Sequence, residues 1–66
     1  MISKPVEQIK QGEFVRRIIS GKEGIATYRR GSYDATYRRY SLEDTADISR
    51  EIFVKRGTQL AVGFTY

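Results

Sequence analysis

Tyrosine and arginine interleave between positions 28 and 40 of this 66-residue chain: Tyr28-Arg29-Arg30, then Tyr33, then Tyr37-Arg38-Arg39-Tyr40. Four of the five tyrosines lie there. A tyrosine ring offers a flat face on which a nucleic-acid base can stack. A guanidinium fork can hold a phosphate through two parallel hydrogen bonds. Tyr28, Arg29, Arg30, Tyr37, Arg38 and Arg39 are therefore the candidate contacts for DNA or RNA. Tyr33 and Tyr40 are assigned to the core. Two other readings compete. Tyrosines are good strand residues and arginines keep a sheet surface solvated. Tyr and Arg are also enriched where proteins meet, which suits an inhibitor, an adaptor or a homo-oligomeric subunit.

Other chemistry has little support. The chain has no cysteine and no histidine. That removes thiolate nucleophiles, His-based acid–base catalysis and zinc sites built on those ligands. Ser20, Ser32, Ser41 and Ser49 have no histidine to activate them. Asp34, Glu43, Asp44, Asp47 and Glu51 are the carboxylates near the hairpin, and turns and caps account for them. Asp44 and Asp47 lack the oxygen density of a calcium loop. Ser20-Gly21-Lys22 lacks the first glycine of a phosphate loop and the Ser or Thr that follows its lysine. The expectation is a non-enzymatic protein with no cofactor and no metal.

The net charge of +4 is unevenly distributed. Residues 26–40 carry +3 and residues 41–51 carry −3. A basic segment thus adjoins an acidic one, and a modest positive excess favours polyanions. Apolar runs are a few residues long, far short of the roughly 20 that cross a bilayer, so no membrane partner is expected. Nothing resembles a signal peptide, and the expected location is the cytoplasm. Small size and high arginine suit accessory proteins of mobile genetic elements.

The elements that must position these residues are short strands. Residues 1–5 have no periodic pattern and are expected to fray. Val6 and Ile9 fit one helical or 3₁₀ turn, ended by Gly12. A strand follows over 13–19, then a loop over 20–24. Residues 25–44 read as a hairpin turning at Asp34-Ala35-Thr36-Tyr37, because an aspartate side chain accepts backbone N–H groups two residues on. That turn pairs Tyr33 with Arg38, Gly31 with Tyr40 and Arg29 with Leu42. Ile25, Thr27, Arg29, Gly31, Tyr33, Arg38, Tyr40 and Leu42 then share the core face, with Tyr28, Arg30 and Arg39 outside. A turn at Gly31-Ser32 is the competing reading. An acidic connector at 43–49, capped by Asp44 or Thr45, leads to a strand over 50–55. Arg56-Gly57-Thr58 is a turn, and 60–66 alternates as a last strand.

This pattern predicts one mainly all-β domain over 1–66. The economical form is a small antiparallel curled sheet, or an SH3-like or OB-like barrel, of four or five strands with one or two short helical turns. The runner-up is an open sheet covered by a partner chain. The expected core is Ile9, Phe14, Ile18, Ile25, Tyr40, Leu42, Ile52, Val54, Leu60, Val62 and Phe64.

Overall fold

A computed structural model describes residues 1–47 and 49–64. The strands are β1 (Ile2–Pro5), β2 (Phe14–Ile19), β3 (Lys22–Asp34), β4 (Arg39–Asp44), β5 (Glu51–Lys55) and β6 (Gln59–Val62), with a 3₁₀ turn at Val6–Gln8. They form one antiparallel sheet in the order β1-β6-β2-β3-β4-β5. The protein is thus all-β and a curled sheet, with six strands rather than four or five. The barrel is not closed: β1 and β5 remain its two edges.

Connectivity forces the curl. β5 and β6 lie four strand spacings apart in the sheet, roughly 19 Å if it were flat. Yet only Arg56, Gly57 and Thr58 join them, a link that reaches at most about 14 Å when extended. It is shorter still, because the Thr58 N–H donates to the Lys55 carbonyl at 3.1 Å and Gly57 takes a left-handed φ of 90°. The sheet must bend until β5 comes back near β6.

The core fills the concave side. Val6, Ile9, Val15, Tyr28, Tyr40, Leu42, Leu60 and Val62 form it, with Ile52 and Val54 packed against its margin. Completely burying a side chain the size of Leu42 or Leu60 contributes about 1.5–3 kcal/mol. The 3₁₀ turn closes one end. The Val6 N–H donates to the Thr58 carbonyl at 2.9 Å, and Glu7 Oε1 accepts the Gly57 N–H at 2.7 Å. Leu60 and Ala61, on opposite faces of β6, are both buried, and β6 lies between β1 and β2 with both its edges paired.

Several expectations need correction. Residues 1–5 are not frayed: Ile2–Pro5 is β1, registered with β6 from Ile2 opposite Val62 to Pro5 opposite Gln59. The loop expected over 20–24 is only a turn at Ser20-Gly21, with positive φ at both. Two of the expected core residues face water, Ile25 at 98% exposure and Phe14 at 44%. Ile25 lies where β3 carries two extra residues against β2, between Arg16 and Ile18, and it shares the outward parity of Arg29. Val6, Val15, Tyr28 and Ala61 are buried instead. The final alternation holds through Val62. Tyr66 lies outside the described residues.

Candidate nucleic-acid interface

The tip of the β3–β4 hairpin is built by Asp34. Its Oδ1 accepts the N–H groups of Thr36 (2.9 Å) and Tyr37 (3.3 Å). The turn occupies 35–38, one residue later than the spacing suggests, and Arg38 completes it with a left-handed φ of 55°. Asp34 then pairs with Arg39, and Tyr33 with Tyr40. Relative to the expected register this is a shift of two, which preserves facing.

Facing then inverts at a bulge. Between Tyr33 and Arg30 the register shifts by one, so that Arg30 faces Leu42, Arg29 faces Glu43 and Tyr28 faces Asp44. Gly31 sits at this bulge. A Cβ there would lie 2.9 Å from Ser41 Oγ and 3.1 Å from its Cβ, so glycine permits the close approach of the strands. It abuts Ser41 rather than the Tyr40 ring expected across it. The Gly31-Ser32 pair is therefore a kink inside β3 and not the competing turn.

The bulge splits the six candidate residues between two faces. Tyr28 is 4% exposed and belongs to the core, not the surface. Arg30 lies on the inner face, where its guanidinium covers the Tyr40 ring at 4.5 Å and Nη1 donates to the Gly31 carbonyl at 2.8 Å. Tyr33 packs on the same ring, centroids 4.6 Å apart, and is itself partly exposed rather than core. Arg29 lies on the outer face between Phe14 and Glu43.

Tyr37 and Arg39 do come together, and Phe53 joins them, while Arg38 lies between the two in the chain at the left-handed position of the turn. The Arg39 guanidinium lies over the Phe53 ring at 4.1 Å and the Tyr37 ring at 4.8 Å. Its Nε is buried with no hydrogen-bond partner. Its terminal nitrogens have no hydrogen-bond or ion-pair partner among the described residues. Tyr37 is 68% exposed and Phe53 42%. Lys55 stands directly across from Arg39 in β5. The result is an outer-face cluster of two rings with Arg39 and Lys55, and Asp34 stands across from Arg39 on its other side. Phe53 is the member that sequence reasoning missed. Its period-2 spacing with Glu51 and Lys55 marks it as surface, which was the available signal.

Arg16 and Arg56 serve elsewhere. Arg16 donates through Nε to Thr27 Oγ1 at 2.9 Å, pairs with Glu23 and covers the Phe64 ring at 4.1 Å. Arg56 lies 3.9 Å from the Glu7 carboxylate. That carboxylate is held below the ordinary glutamate range, first by the Gly57 N–H and then by further effects including the Arg56 charge. In the acidic connector Asp44 caps the turn by accepting the N–H groups of Ala46 and Asp47, and the Thr45 hydroxyl donates to the Thr27 carbonyl at 2.9 Å. The Ser49 hydroxyl and N–H lower the Asp47 pKa. No described helix is long and apolar enough to cross a membrane. Comparison with family models, curated proteins and solved structures finds no match.

Proposed function

We propose that this is a non-enzymatic binding protein that holds single-stranded DNA or RNA at the outer tip of the β3–β4 hairpin. One observation carries the reading. The Arg39 guanidinium is stacked on Tyr37 and Phe53 and has no acidic partner among the described residues. Stacking fixes the plane of the fork, so its terminal N–H groups are pre-oriented for a phosphate. The largely exposed Tyr37 ring offers a π face to a base, and Arg38 and Lys55 add positive charge beside it. Arg29 and Arg30, separated from this cluster by the bulge, are outside the proposed site.

Labelled single-stranded DNA, single-stranded RNA and duplex DNA, titrated at two salt concentrations, test it. Binding to a single strand should weaken steeply with salt, because each neutralised phosphate releases counterions. Arg38→Ala with Arg39→Ala should flatten the logarithmic salt slope by about 1.4, or about 0.7 per phosphate contact. Tyr37→Ala should weaken binding by about 1–3 kcal/mol per stacked base. No binding at low salt, or an unchanged slope in the double variant, would remove the site.

A further inference from the structure

Strand β5 is an edge whose outer side pairs with nothing among the described residues. Its sequence is Glu51-Ile52-Phe53-Val54-Lys55. Read in reverse, it presents a complementary series. An antiparallel pair centred on Phe53 sets Glu51 across from Lys55, Ile52 across from Val54, and Phe53 across from Phe53 of a second copy. We propose that β5 pairs with β5 of a second copy of this chain about a two-fold axis through Phe53, joining the two sheets into one.

Four features of the strand favour this occupant. Opposite residues of an antiparallel pair lie on the same face. On the inner face, Ile52 and Val54 pack only partly against the core margin, and the second copy's Val54 and Ile52 would continue that core across the join. On the outer face, charges alternate in sign by rows. The β4–β5 register sets Arg39 beside Lys55 and Glu43 beside Glu51. The two-fold pairing extends each row into its opposite, so Lys55 meets Glu51 of the second copy, while Arg39 stays one strand further out on Tyr37 and Phe53. Neither Glu51 nor Lys55 has an ion-pair partner among the described residues, and the Glu51 carboxylate takes only the Ser41 hydroxyl. Lastly, the other edge is unsuited to the role. β1 has four residues and includes Pro5, which has no N–H to give, and Lys4. An edge that matches itself closes as a pair, whereas β1 against β5 would propagate.

Sedimentation over a concentration series, without nucleic acid, reads the assembly directly. The particle should move from 7.6 kDa toward twice that mass as concentration rises. Glu51→Lys or Lys55→Glu alone sets like charges opposite each other twice in the pair, and each should raise the dissociation constant at least about tenfold. The double variant restores opposite charges and should recover the dimer. The register has its own test, since the chain contains no cysteine. Phe53→Cys places the two thiols face to face and should give an oxidised dimer. Lys55→Cys sets them roughly 13 Å apart along the strands, beyond disulfide reach, and should not. A particle that stays at 7.6 kDa throughout the series, a double reversal that stays monomeric, or cross-linking at 55 in preference to 53 would overturn the proposal.

Discussion

Gly31 sits at the register shift of β3, with its backbone close against Ser41. Alanine there would press a methyl group against Ser41 and should cost about 1–3 kcal/mol in urea denaturation, the range for overpacking a close contact. Because the bulge sets which residues face out, oligonucleotide affinity should be measured on the same variant. Tyr40→Ala should cost about 3 kcal/mol by leaving a hole beside Leu42, and also frees Arg30 and Tyr33 from the ring they share. The pentapeptide Ala-Thr-Tyr-Arg-Arg occurs at 26–30 and again at 35–39, and its two copies show how far residue type alone reaches. Arg30 and Arg39 meet the same fate, each stacked on a ring with a buried Nε. Tyr28 and Tyr37 do not, since one is core and the other projects from a turn. The ring nearest each arginine lies on the neighbouring strand, Tyr40 for Arg30 and Phe53 for Arg39, outside the repeated pentapeptide. The division into inside and outside depended on a one-residue register shift, which period-2 reasoning has no means of locating.

Among the elements, the turns were the most legible. Asp34, Asp44 and Gly57 act through the mechanisms their side chains or backbone freedom suggest. The strand boundaries around them follow to within a residue or two, apart from the long β3, the N-terminal β1 and the last strand, which ends at Val62. β1 was invisible because Ile2-Ser3-Lys4-Pro5 has little apolar alternation, and its place comes from the ladder that β6 offers it. The 3₁₀ turn and the β5–β6 turn are joined through Glu7. Its carboxyl is held below the ordinary range in the folded chain, so it contributes stability above that range and loses it as pH falls through the lower folded-state value. Thermal melts of the wild type should therefore drop across that acidic window. Glu7→Gln should melt lower at neutral pH and show a smaller acid drop, with the part due to Asp47 remaining. An identical pH profile in both proteins would show that the Glu7–Gly57 link is not stabilising.

For the molecule as a whole, the sheet order has a kinetic consequence. The strand that completes the core, β6, lies inside the sheet between β1 and β2 but is last of the six in sequence. Its ladder with β1 joins residues sixty positions apart, Ile2 to Val62, and its ladder with β2 closes a loop nearly as long as the β2–β5 meander itself. Hairpins β2–β3, β3–β4 and β4–β5 can form locally. Insertion of β6 must wait for the meander to bend, and the entropy of closing that large loop is lost before Leu60 and Val62 are buried. Refolding should be slow for so small a protein, in milliseconds to seconds by stopped-flow fluorescence. Leu60→Ala should mainly accelerate unfolding and leave the refolding rate nearly unchanged, as expected of a contact made after the transition state. Until β6 arrives, β2 is a bare edge with Val15 uncovered, so the short-lived meander is the species in which chains would stick to one another.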